Sequence, residues 1–317
     1  MVRRIFDIVF EMGKIATRIA GVNDRTPPLP NLDDEVVPDE WLASANKRYR
    51  AQSLPAKRRP FQALCDYTKE KNASIRFGSP AADRVFRWFK ERSAPGADQI
   101  GTLFTGSYFY DAHFWPVSIP IGYGNVKLDA FQSLETMPDP VKIELSRDPE
   151  ELRTYVLYWI DCLDYAYGYD DVRKFAKLSP RALALLKNAD HEFRGAVELV
   201  NDLRPNPRAA FNARMATELF AKALLVEKAD YSDNALKEVS HNLDKLFEHA
   251  EKICAAEEIT IVRRLVSLFP PVDARYFGDD LEPAAVGNTL STCQMAATTV
   301  IRQFTDRDSR AQVFEAA

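Results

Sequence analysis

The sequence predicts an α+β N-terminal domain with short antiparallel strands, followed by an all-α helical bundle. Three observations carry this reading. Aromatic and β-branched residues between Ile100 and Leu145 are broken by Gly, Pro and Asp, as in short strands. From Ser179 onward, apolar residues recur at a spacing near 3.6, as in packed helices. A length of 317 residues favours two domains over one.

Bulk properties limit the function classes. Apolar residues make up 46% and charged residues 28% of the chain, enough for a real core. A formal charge of −4 gives no global attraction to nucleic acid, so any such contact needs a local basic patch. Cys65, Cys162, Cys254 and Cys293 lack the paired spacing of a zinc site; three of them sit inside helical patterns beside apolar residues, so buried thiols in a reducing cytoplasm are expected. No cofactor or metal site is predicted. No apolar run reaches the roughly 20 residues of a transmembrane span.

Along the N-terminal half, Ile5, Val9, Met12, Ile15, Ala16 and Ile19 recur at helical spacing, with Gly21 placed to end the turn. Residues 1–21 are therefore expected to form an amphipathic docking helix; Asp7, Glu11 and Lys14 interrupt any signal-peptide core. Adsorption to a membrane surface is the alternative. Residues 22–60 read as a Pro- and acid-rich linker or surface-hugging arm, ending in a basic stretch of Lys47, Arg48, Arg50, Lys57, Arg58 and Arg59. That stretch is either a solvated loop or a phosphate-contacting patch. The α+β domain spans 61–170. It contains helices near Phe61–Lys71 and Ala81–Arg92, the second with Ser79 as cap and Pro80 at its first position. Strands follow, including a half-exposed one in which Val141, Ile143 and Leu145 alternate with Lys142 and Glu144. Asp148-Pro149 then opens a helix carrying Leu152, Tyr155, Val156, Trp159 and Leu163. The boundary is expected near Tyr167–Leu178.

The helical bundle is read over 179–305, with a tail at 306–317. Ser179-Pro180 opens its first helix, and Asn206-Pro207 opens a second whose apolar girdle suits the centre of a bundle. A third runs from about Ser232 to Glu251. Two more cover Ile259–Leu268 and Ala284–Phe304. Near burial is expected of Phe211, Leu219, Leu224, Leu243 and Phe247.

On the second helix Arg214, Glu218 and Lys222 lie four residues apart and share a face. Ion pairs on the helix surface are the plainer reading; a buried charged stripe would call for partners and so for a site. On a continuous third helix, His241 lies nearly opposite the apolar stripe, beside Lys237, Lys245 and Glu248, and so points outward. Asp111 and His113 are expected on one face of a strand, more simply as part of a packed sheet than as an acid–base pair. Asp161, Asp164, Asp170 and Asp171 read as solvated acids.

Ala216–Leu225 (ATELFAKALL), Asp230-Tyr231 and Ser240–Ile253 (SHNLDKLFEHAEKI) together resemble the two central helices of HEPN domains. In that family an acid and a Lys on one helix precede a His-Asp-Leu signature on the next. The matching positions here are Glu218, Lys222 and His241-Asn242-Leu243, with Asn in place of Asp. Ala274-Arg275-Tyr276 is similar to an Arg-Tyr element that follows. The resemblance implies either a metal-independent endoribonuclease or a non-catalytic binding module. Catalytic members pair an Arg with the His across a short spacer; here that spacer begins with Lys237, and no Arg lies between Arg214 and Arg263. Lys lacks the planar fork of Arg.

The leading expectation is therefore a HEPN-like, non-catalytic binding or regulatory subunit in the cytoplasm. Its ligand would be a nucleotide or RNA, bound through Glu218, Lys222 and Asn242. Its setting would be bacterial antiviral defence or a toxin–antitoxin pair, as a homodimer or with a partner protein. The first alternative is an endoribonuclease with His241 as acid–base and Lys237 or Arg214 on the phosphate. The second is a purely structural dimerisation protein.

Overall fold

The computed structural model describes residues 9–10, 29–92, 102–121, 126–239, 241–274 and 281–311. The chain divides into two compact units, one formed by 13–101 and the other by 1–12 together with 102–317.

In the first unit, α1 (Asp39–Ala51), α2 (Arg59–Lys71) and α3 (Pro80–Lys90) enclose a small core of Leu42, Tyr49, Leu64, Tyr67, Val85 and Phe89. The α3 start follows its sequence signals: Pro80 occupies the first turn and Ser79 Oγ accepts from Ala82 N at 3.3 Å. α2 stops where Asn72 enters the left-handed region at φ 48°. Of residues 22–60, expected as a linker, 30–33 lie along these helices as an arm, but Asp39–Ala51 form α1, so Lys47, Arg48 and Arg50 stand on a helix and not in a loop. Leu32 N donates to Ser74 O at 2.9 Å, and Asp33 O accepts from Ala81 N at 2.9 Å. The Asp33 carboxylate also accepts from Arg76 N at 2.7 Å and from Arg76 Nε.

The second unit begins, among described residues, with β1 (Val9–Phe10), which pairs antiparallel with β4 (Val126–Lys127). Val9 and Phe10 are therefore extended rather than helical; the rest of the predicted docking helix lies outside the described residues. β2 (Phe104–Tyr110) and β3 (His113–Ile119) form a hairpin, with Phe104 opposite Ile119 and Tyr110 opposite His113. Asp111 and Ala112 have φ values of 50° and 56°, the primed-turn conformation that matches strand twist. Asp111 is thus a turn residue, not a strand neighbour of His113.

Val141–Leu145 is helical, within α4 (Asp139–Arg147), not a strand. Pro140 pre-sets the first turn, and Val141 and Leu145 fall four apart on one face. Leu145 is buried while Ile143 remains exposed. Alternation over five residues did not separate the two periods.

α5 (Pro149–Lys174) starts at Asp148, whose Oδ1 accepts from Glu150 N at 2.9 Å and Glu151 N at 3.2 Å. It is followed by α6 (Pro180–Val200), α7 (Ala209–Ala229), α8 (Asp233–Val239), α9 (Leu243–Ile253), α10 (Glu257–Leu265) and α11 (Pro283–Arg302). α7 and α11 are buried on most faces. Leu224, Leu243 and Phe247 are buried as expected, whereas Phe211 and Leu219 are half-buried.

The hairpin, α5 and the later helices share one hydrophobic core. The expected boundary at Tyr167–Leu178 therefore falls inside a unit, and the division lies near Gly101. Two features tie the hairpin in. Tyr158 Oη, from α5, both accepts from Ser107 N and donates to Ser107 O at 2.9 Å, satisfying the free edge of β2. Gly287 on α11 lies so close to the hairpin that a Cβ would stand 2.6 Å from Phe109 Cβ. Such contacts join residues far apart in sequence and leave no local pattern.

The acids of α5 are also placed differently from expectation. Asp161 and Asp164 are buried rather than solvated. Arg302 Nη2 donates to Asp161 at 2.9 Å and to Asp164 at 2.7 Å, Arg310 Nη2 donates to Asp161 at 2.6 Å, and Ser309 N donates to Asp164 at 2.9 Å. These bonds fasten the described part of the expected tail to α5. Asp170 and Asp171 pair with Lys174 and Arg307.

Candidate acid–histidine cleft

The expected third helix is broken. α8 ends at Val239, and α9 starts at Leu243 with Asn242 as its cap, the Asn242 Oδ1 accepting from Lys245 N at 3.0 Å. His241 stands in the break. The face shared with Lys237, Lys245 and Glu248 on a continuous helix therefore does not exist, although the outward position of His241 does: its side chain is 59% exposed.

α7 supplies what holds it. Glu218 is buried, at 5% side-chain exposure, and its Oε1 accepts from Lys222 Nζ at 2.6 Å. His241 Nδ1 lies 2.9 Å from Oε1 and 3.0 Å from Oε2 of the same carboxylate. A carboxylate already paired with an ammonium accepts only, so Nδ1 carries the proton and Nε2 is the ring nitrogen left for solvent or a ligand. Arg214 Nη2 donates to His241 O at 2.8 Å. Burial lowers the Arg214 pKa, with Glu218 opposing that shift. Its Nε is buried without a hydrogen-bond partner. The stripe of Arg214, Glu218 and Lys222 is thus the mount for the α8–α9 break, not a set of surface ion pairs.

Beside this mount is a cleft of about 760 Å³, bounded by Arg214, His241, Arg263 and Arg264 and by the apolar Val266 and Pro271. Arg263 is occupied: it donates to Asp244 at 2.9 Å and Glu251 at 2.7 Å, bonds that raise its pKa and hold Glu251 below the usual carboxylate range. Arg264 is exposed and has no acidic partner among the described residues. This Arg pair is not among the candidate residues that spacing and resemblance mark. Its signal was present, since Arg263 is the first Arg after Arg214.

Lys237 is exposed on α8 and does not border the cleft. Arg275 and Tyr276 lie outside the described residues. His113 packs against Trp115, with ring centroids 4.3 Å apart and planes tilted by 53°, and bonds no acid among the described residues. In the first unit Lys47, Arg48, Arg50 and Arg58 are exposed. Arg59 is structural, bonding Leu54 O at 2.8 Å and Asn46 Oδ1 at 3.2 Å. The Lys57 side chain lies outside the described set. Cys162, Cys254 and Cys293 are buried and Cys65 is exposed. Among the described residues no group of acids, His and Cys converges as metal ligands, and no helix is long and apolar enough to cross a membrane. Comparison with family models, curated proteins and solved structures gives no match.

Proposed function

We propose that the helical unit is a HEPN-like binding or regulatory module whose cleft takes the phosphate of a nucleotide or of RNA, without cleaving it. The observation that carries this reading is the Arg214–His241 contact. The guanidinium that would serve a scissile phosphate is half-buried and donates to a main-chain carbonyl. Arg264 and His241 Nε2 remain to meet an anion, while Val266 and Pro271 offer an apolar wall for a base. Glu218 and Lys222 then act by holding the frame, whereas Asn242, the cap of α9, itself borders the cleft beside the ligand. The defence or toxin–antitoxin setting and the dimer or partner complex implied by the resemblance are part of the same proposal.

A second reading is favoured by the Glu218–His241 pair. A buried carboxylate on Nδ1 is how a histidine is oriented for proton transfer through Nε2. Under that reading His241 is the acid–base of a metal-independent endoribonuclease and Arg214 turns to the phosphate. Titration of the purified chain with AMP, ATP and short RNA in chelator separates the two. Binding of AMP and ATP that is weakened by Arg264→Glu and by His241→Ala, without cleavage of the RNA, is expected. Fragments that disappear in His241→Ala would establish the second reading, and absence of both binding and cleavage would remove both.

A further inference from the structure

The first unit carries a surface that the cleft does not explain. Residues 29–92 hold 13 Lys and Arg against 9 Asp and Glu, a balance of +4, in a chain whose formal charge is −4. The stretch Trp41–Cys65 contains six of those cations and no acid. The fold gathers its exposed members at one corner. Arg59 on α2 bonds Asn46 on α1 at 3.2 Å, which sets the C-terminal end of α1 beside the start of α2. Arg50 lies one turn beyond Asn46 on the same helix face, and Arg58 caps α2. Lys47, Arg50 and Arg58 are exposed and have no acidic partner among the described residues.

Aromatic rings begin in the first turn of α2. Phe61, 38% exposed, stacks on Phe77, 56% exposed, with centroids 5.8 Å apart and planes 11° from parallel. Phe86 of α3 continues the row, 6.2 Å from Phe77. Exposed Phe pairs are uncommon on a surface with no partner. Here the row starts beside the cationic corner, because Arg58 and Phe61 are three apart on one helical face.

We propose that this corner and ring row form a binding surface for single-stranded nucleic acid, with phosphates on Lys47, Arg50 and Arg58 and a base against Phe61 and Phe77. Cations that follow a backbone beside exposed rings that receive unpaired bases are the two parts such binding needs. A duplex keeps its bases stacked and can offer only phosphates. A flat anionic membrane fits less well, since Asp34, which shares a surface depression with Phe77, and Asp83, one turn before Phe86, would be pressed against the headgroups. A single strand can leave those acids in water. This proposal is independent of the cleft reading.

The test is fluorescence anisotropy of the full chain with a fluorescein-labelled oligouridylate, a duplex of equal length, and anionic phosphatidylserine vesicles. Binding of the single strand is expected, weakened about tenfold by Phe77→Ala and retained by Phe77→Trp. Arg50→Glu and Arg58→Glu should weaken binding and flatten its dependence on salt. Arg264→Glu should leave this binding in place, which separates the surface from the cleft. Circular dichroism should not change in these variants, because every altered side chain is exposed. Equal affinity for the duplex, or binding indifferent to Phe77→Ala, would reduce the surface to nonspecific charge and overturn the proposal. So would Phe77-dependent vesicle binding without RNA binding, or no binding at all.

Discussion

Glu218 and His241 stand 23 residues apart in the chain, yet His241 Nδ1 meets both oxygens of the Glu218 carboxylate, at 2.9 and 3.0 Å. With Lys222 on the same carboxylate, one buried acid on α7 ties down the α8–α9 break. Glu218→Ala should therefore destabilise the protein by about 3 kcal/mol, since it leaves Lys222 nearly buried and unpaired. It should also raise hydrogen exchange across residues 239–243. Urea unfolding and exchange mass spectrometry measure both, and parent-like values would show that the break holds itself.

Core depth on α7 separates two adjacent residues. Phe220 is fully buried and Leu219 half-buried. Phe220→Ala should cost about 3–5 kcal/mol, and Leu219→Ala less than the roughly 2 kcal/mol at which fully buried Leu truncations begin. Equal shifts in the urea midpoint would contradict the packing described for this helix.

Close approach makes Gly287 a stricter position than its sequence neighbours. A Cβ there would stand 2.6 Å from Phe109 Cβ and 2.7 Å from Phe109 Cγ, atoms near the backbone that cannot swing aside. Gly287→Ala should cost about 1–3 kcal/mol as overpacking, despite the better helix propensity of Ala. A more stable variant in a thermal melt would mean that the hairpin yields freely.

The first unit should show its own acid sensitivity. The hydrogen bond from Arg76 N holds the Asp33 carboxyl below its ordinary value of 3.8, burial opposing and the Arg76 side chain assisting. A depressed folded pKa contributes stability that is present above 3.8 and lost as pH falls through the folded value. Exchange at the amides of Arg76 and Ala81, which bond Asp33, should therefore quicken as pH drops below about 4, after correction for the intrinsic rate. Asp33→Asn should remove that dependence while weakening the arm at neutral pH. A pH profile unchanged by the substitution would assign the effect to another group.

Local chemistry was legible wherever a few neighbouring residues decide the outcome. Ser79-Pro80 and Ser179-Pro180 opened helices where their capping and fixed φ required. The period near 3.6 in α6, α7 and α11 marked buried helices. Spacing and resemblance single out Arg214, Glu218, Lys222, His241 and Asn242 without reference to any contact. Tertiary structure alone decided what those residues do. Whether a polar stripe faces water or a neighbour depends on what packs beside it, so Glu218 could not be placed under His241 from its own helix. Nor could residues 232–253 be read as two helices, because the apolar period continues across the break. The same holds for the division near Gly101. Strands and helices that look like separate domains in composition share one core here, because Tyr158 closes the β2 edge and Gly287 lets α11 reach Phe109. Those contacts arise only when distant segments meet in a folded chain.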